Sequence, residues 1–179
     1  MASADDVRAV DAVLAAYRDV VGADYDGYRN HVCRVVALCR AQGDFDADAV
    51  EKIRIAACFH DIGIWTAGTL DYLAPSAAAA AAHLAAHGRA AWTAEVGEMI
   101  AMHHGLSSRA GSAFALVEPF RRADIADFSL GLFPMGLPRA LLRRLRDEFP
   151  NRGFHRRLVA LGWRWFLRHP LNPLPMFRR

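Results

Sequence analysis

Apolar residues recur along this chain every three or four positions with polar ones between them, and no stretch shows the strict alternation of a half-buried strand. Residues 5–21 carry Val10, Val13, Leu14, Tyr17 and Val21 at this spacing, which predicts a first helix. The segment "GADYDGYRN" reads as a turn, and Val32, Val35, Val36 and Cys39 predict a second helix over 31–42, closed by Gly43. "DADAVEK" offers Asp48 as an N-cap with Glu51 three residues on. The helix it opens runs through Val50, Ile53 and Ala57 to His60, with Gly63 as its stop. Residues 76–87 are nearly all alanine, the strongest helix former, and read as a closely packed helix. Thr93 caps a helix over 94–104 ended by Gly105, and Pro119 suits the first turn of one reaching Ser129. Pro138 opens 138–148, and Asn151 caps a last helix to about His169. The expectation is an all-α bundle of about seven or eight helices in a single domain over residues 1–179, without internal repeats.

Composition narrows this picture. Hydrophobic residues make up 54% of the 179, enough for one sizeable core. Charges interrupt every apolar run before it reaches the length of a membrane span, so none is expected. The start "MASADDVRAV" lacks the basic n-region of a signal peptide, which makes a cytoplasmic location the default. Cys33, Cys39 and Cys58 sit among aliphatic residues and form no C-x-x-C pair, as befits reduced core thiols.

The net charge of +3 conceals an asymmetry. Residues 139–179 hold eleven arginines against Asp147 and Glu148, a charge of +9; the remainder, with eleven basic and seventeen acidic residues, carries −6. A basic, aromatic C-terminal segment suits a membrane surface or an acidic partner. Helices at 138–169 packed back on the bundle, their arginines snorkelling to solvent, account for it more simply. Nucleic acid is therefore not the expected partner, and a homo-oligomer stays open.

The exceptions to the apolar pattern carry the chemistry. "AACFHDIGIWTAG" (56–68) places His60 and Asp61 at the inner end of a hydrophobic helix. His60 follows Ala57 by three residues and Asp61 follows it by four, so both point toward the core stripe. An ionised aspartate buried there needs a cation or dense hydrogen bonding, and a divalent metal accepts imidazole and carboxylate together. Other ligand-type residues share apolar faces: His31, His103 with His104 in "MIAMHHG", and Asp124 in "EPFRRADIADFS". His83 and His87 stand four apart on the alanine helix, a spacing that chelates metals and equally suits an exposed helix edge.

The order His31, His60-Asp61, Asp124 resembles the H…HD…D signature of the HD-domain metal-dependent phosphohydrolase superfamily. The contexts "NHVCRVVALC", "ACFHDIG" and "RRADIAD" resemble it too, over roughly residues 25–130. The resemblance implies an all-helical fold and one or two divalent ions (Mn, Fe, Zn, Co, Ni or Mg) held by His31, His60, Asp61 and Asp124. It also implies that His103 and His104, with His83 or His87 as a further candidate, serve a second ion. Asp124 is preferred to Asp127, one turn away. Asp61 would bridge two ions or orient the attacking water, and Arg34 and Arg121 are the candidate phosphate contacts. The expected activity is hydrolysis of a small phosphorylated molecule, nucleotides included.

Two departures bear on this. Ile64 stands where many members have lysine after the HD-x-G turn, and the G-Y-P motif of cyclic-di-GMP phosphodiesterases is absent. The segment "GIWTAGTLDYLAPS" is expected to loop over the site, with Trp65, Tyr72 and Leu73 either packing on the core or stacking on an organic group. The alternatives are a mixed-valent di-iron oxygenase with the same ligand set, and a non-enzymatic binding module that keeps the fold.

Overall fold

The second apolar segment becomes the axis of the molecule. In the computed structural model, which describes residues 3–105, 107–172 and 175–177, it forms α3 (Tyr25–Arg40). This helix begins within the stretch expected to be a turn. Tyr25 and Tyr28 continue the stripe of Val32, Val35 and Val36 backwards, and burying both overrides the turn preference of the intervening Asp26 and Gly27. The Tyr28 hydroxyl donates to the Cys58 carbonyl at 2.8 Å, so this large side chain is buried without an unpaired polar group. Each such aromatic or aliphatic side chain stabilises the fold by about 1.5–3 kcal/mol through burial.

The other long helices wrap this axis: α1 (Ala4–Leu14), α4 (Ala47–Phe59), α6 (Leu73–Ala86), α7 (Thr93–Met102), α8 (Val117–Phe128), α9 (Arg139–Glu148) and α10 (Phe154–Arg168). Short helices α2 (Arg18–Val21) and α5 (Gly63–Thr66) complete the α-helical set, and no strand occurs among the described residues. α3 packs against α1, α4 and α8, while α7 bridges α4, α6 and α8. One core runs through Val32 and Leu38 of α3, Ile53 of α4, Ile100 of α7 and Phe120 of α8. Leu142, Leu145 and Phe154 bring the basic C-terminal helices into the same core. No helix among the described residues is long and apolar enough to cross a membrane.

Several helix ends differ from expectation. α4 is capped by Asp46, whose carboxylate accepts from the Ala49 N–H at 2.8 Å; Asp48 lies in its first turn instead. Thr93 is the first residue of α7 rather than its cap. α10 starts after Gly153 (φ 88°), with Asn151 accepting from the His155 N–H two residues further out than a cap would stand. Gly63 does not end a helix but opens α5, and its role is steric. A Cβ there would lie 2.5 Å from the Tyr72 carbonyl oxygen, so only glycine lets α5 sit this close to the start of α6. The Gly63 N–H donates to Ser76 Oγ at 3.0 Å and closes the contact. The HD doublet is thereby fixed between the end of α4 and a glycine that cannot move outward.

Candidate metal centre

Helices α3, α4, α7 and α8 each turn polar side chains into the core at one level. His31 comes from α3, His60 caps α4, Asp61 follows it, His103 caps α7, and Asp124 projects from α8. All five are 5% exposed or less. His31 Nε2 lies 3.0 Å from His60 Nε2, and Asp124 Oδ1 lies 3.4 Å from the first and 3.5 Å from the second. Asp61 Oδ2 stands 3.4 Å from His60 Nε2, and its other oxygen, Oδ1, stands 3.5 Å from His103 Nε2.

The far side of each ring decides what these nitrogens are. His60 Nδ1–H donates to the Ala57 carbonyl at 2.8 Å and His103 Nδ1–H to the Ile100 carbonyl at 2.6 Å; a carbonyl only accepts, so the proton belongs to Nδ1. His31 Nδ1–H donates to Asp127 Oδ2 at 2.7 Å. The neutral form of each of the three rings therefore presents an Nε2 lone pair to the same small space. Lone pairs 3.0 Å apart repel unless a proton or a cation lies between them. Asp61 Oδ1 and His103 Nε2 are buried with no hydrogen-bond partner in the protein. Nitrogen and oxygen ligands that share a divalent ion at ~2.0–2.2 Å stand roughly 3–3.5 Å from each other, which is the spacing found here. The donor set suits a first-row divalent ion.

Two groups of ligand atoms emerge: His31, His60 and Asp61, and Asp61, His103 and His104. Asp61 belongs to both, its two oxygens facing different histidines. Burial opposes charge throughout, but the neighbours reverse it. Burial would raise the Asp61 carboxyl, yet His60 and His103 hold it well below the usual carboxylate range. Burial works against a charged His60, and Asp61 and Asp124 bring it well above the ordinary histidine value. At His104 burial and the adjacent His103 outweigh the support of Asp124 and Asp61 and push it down to about 3. Its Nε2 meets the Tyr72 hydroxyl.

Asp127 stands behind the cluster, one turn from Asp124, and was passed over as a ligand in favour of Asp124. It accepts from Arg34 Nε at 2.7 Å and Nη2 at 2.9 Å while also receiving the His31 Nδ1 proton. Arg34, expected to face a phosphate, is 1% exposed and gives its remaining donor to the Phe149 carbonyl at 2.6 Å. Arg121, the other expected phosphate contact, is buried too, paired with Glu118 through Nε at 2.8 Å and Nη2 at 2.7 Å and with the Gly105 carbonyl at 2.8 Å. Neither guanidinium faces the cluster. The sequence places both near ligands correctly, but a three-residue offset on a helix does not say which side of the neighbour a side chain occupies.

His83 and His87 stay outside as well. Their rings lie 4.2 Å apart on α6, and His87 Nδ1–H donates to the His83 carbonyl at 2.8 Å. In the segment expected to cover the site, Trp65 donates to Asp24 Oδ2 at 3.0 Å and packs 4.7 Å from the Tyr28 ring, while Tyr72 and Leu73 are buried. These residues are wall rather than lid. Asp127, the alternative to Asp124, holds the far side of the His31 ring, and Tyr72, expected on the core or on an organic group, is buried with its hydroxyl on His104; neither contact is visible in the sequence. Compared with family models, curated proteins and solved structures, the chain matches none of them.

Proposed function

We propose that the chain is a divalent-metal-dependent phosphohydrolase acting on a small phosphorylated molecule, with the HD-type ligand set that its sequence resembles. The observation that carries this reading is the convergence of three Nε2 atoms with Asp61 and Asp124, where Asp61 Oδ1 and His103 Nε2 stand 3.5 Å apart and neither makes a hydrogen bond. A bound divalent cation would supply an acidified water and a polarised phosphoryl oxygen. His31, His60 and Asp124 would hold one ion and His103 and His104 a second, with Asp61 reaching both through its separate oxygens. Asp127, itself held by Arg34, keeps His31 in the tautomer whose Nε2 lone pair faces inward. The Ala57 and Ile100 carbonyls do the same for His60 and His103. Phe120 closes over the His60 ring edge-on at 5.8 Å and keeps water from the inner side, which strengthens each electrostatic contact. With Arg34 and Arg121 paired elsewhere, the charge of a bound phosphate is balanced by the cations rather than by guanidinium groups.

The test is metal content per chain beside a His60→Ala/Asp61→Ala variant, together with phosphoester hydrolysis before and after chelation. One or two equivalents that disappear in the variant, with hydrolysis that returns when metal is restored, are expected. No metal after reconstitution would remove the reading. Iron with a near-infrared or paramagnetic signal would move the conclusion to the oxygenase.

A further inference from the structure

Beside the cluster lies a cavity of about 450 Å³, reached from Asp61, Tyr72 and His104 and walled by α5, α8 and α10. Its walls are almost wholly apolar: Ile64, Leu70, Phe128, Leu130, Leu158 and Val159. Its remaining ring, His155, turns Nε2 to the Phe128 carbonyl at 2.9 Å. Among the described residues neither lysine nor arginine lines it. The arginines that α10 offers nearby, Arg157, Arg164 and Arg168, line a different cavity across the wall formed by Ile64 and Leu70. Several of the apolar side chains remain exposed, with Val159 at 73%, Leu130 at 48% and Phe128 at 45%. Exposed large apolar groups gathered around a concavity mark a binding site. At the inner end stands Asp61, a residue 5% exposed whose Oδ1 makes no hydrogen bond.

We propose that this cavity takes the uncharged, apolar organic group of the substrate, an aryl or alkyl group, while the substrate's phosphoester reaches Asp61 and the cluster. The inference rests on the hydrolase reading of that cluster and narrows its substrate class. The size fits: a cavity of roughly 150 Å³ lined by similar side chains holds one benzene ring, so this one takes two to three ring equivalents. The chemistry fits as well. An apolar wall gains from desolvating a hydrocarbon group, whereas a sugar or a nucleobase would lose hydrogen bonds to water and find few replacements. Nucleotides, admitted by the sequence, become the poorer substrates. For an aryl phosphate the reaction is hydrolysis. The oxygen of water bonds to phosphorus, the aryl P–O bond breaks, and the leaving aryl oxygen takes up a proton, giving the phenol and inorganic phosphate.

Gly162 provides the means of testing this. It lines the cavity in the middle of α10, and a Cβ there meets nothing within 4 Å. Gly162→Phe therefore adds a ring at the cavity wall where its Cβ has room, and replaces the poorest ordinary helix former. The first probe is 1-naphthol, whose binding to the full chain is followed by its own fluorescence, with bound metal and helicity measured on the same samples. Saturable binding by the wild type and by Gly162→Ala, weakened roughly tenfold or more in Gly162→Phe at unchanged metal content and helicity, is expected. Absence of saturable binding, or equal binding by Gly162→Phe, overturns the inference. The second probe set is 1-naphthyl phosphate, methyl phosphate and adenosine monophosphate. A kcat/KM for the naphthyl ester about tenfold or more above the other two supports the inference, and a preference for either of them overturns it. Naphthol binding that Gly162→Phe abolishes, without hydrolysis of any ester, supports the apolar cavity and refutes the hydrolase reading alone.

Discussion

Asp127 and Asp61 are both buried carboxylates in contact with the same histidine cluster, and the protein treats them in opposite ways. Asp127 receives two bonds from Arg34 and one from His31, and Arg34 in turn is completed by the Phe149 carbonyl. Each charge at that end has a partner of opposite sign inside the protein. Asp61 has no arginine or lysine partner among the described residues: His60 and His103 flank it, Tyr72 lies close by, and its Oδ1 has no hydrogen bond. The first arrangement is a frame. The second leaves an oxygen without a hydrogen bond inside the fold, on a residue that also lines a cavity. A buried oxygen without a hydrogen bond is destabilising, and its persistence beside a fully bonded twin is what the proposed metal site accounts for.

The comparison is broken most directly at its paired end. Arg34→Met leaves Asp127 buried without its cation and should cost about 3–5 kcal/mol in urea unfolding of the metal-free protein. A loss below about 1 kcal/mol would show that Asp127 does not depend on Arg34. Asp127→Asn keeps the shape but weakens the hold on the His31 tautomer. Metal affinity should fall about 10–100-fold by competition with a chromogenic chelator, and an unchanged affinity would detach Asp127 from the centre. At the other end, Asp61→Asn removes the charge that supports His60, an imidazole that can shed its proton where a guanidinium cannot, so metal-free stability should fall by less than in Arg34→Met while retention of metal is abolished. A destabilisation as large as that of Arg34→Met would make Asp61 structural.

The smallest effect concerns an ion pair away from the cluster. Asp6 meets Arg40, and it accepts from Arg54 Nη2 at 2.7 Å. Burial raises its carboxyl, but Ser3, Arg54 and Arg40 together bring it below the ordinary value of 3.8. Its stabilisation is complete above that value and is lost as pH falls through the lower folded-state value. Asp6→Asn should therefore flatten the acid limb of the stability curve below about pH 4 while leaving metal binding unchanged, read from urea midpoints against pH. An acid limb as steep as that of the wild type would give the titration to other carboxylates.

The helices were legible because helix formation is written locally. Three- and four-residue spacing located α1, α3 and α4, the alanine run located α6, and cap, glycine and proline signals located the others, with Pro119 at the start of α8 and Pro138 next to α9. Their ends were less legible: three aspartates at 44, 46 and 48 compete for one cap, and the bond to the Ala49 N–H selects Asp46. In the cluster, His31, His60, Asp61, Asp124, His103 and His104 stood out as polar residues on apolar faces, and the fold brings them together. Arg34 and Arg121 stood out for the same reason, yet they turn to Asp127 and Glu118. A long flexible side chain reaches several partners from one Cα, and its direction is decided by which of them is buried and unpaired.

By itself, then, the sequence determined that the chain is helical, where its apolar stripes run, and which ligand-type residues those stripes carry inward, because periodicity and side-chain chemistry are properties of short segments. Only the tertiary structure decided that Asp61 faces two histidines at once, that Asp127 bonds the far side of the His31 ring, and that a cavity lined almost wholly by apolar residues lies beside the cluster. Those features join residues of α3, α4, α7, α8 and α10 that lie far apart in the chain. Their distances are set by how helices pack against one another, and no single segment encodes that.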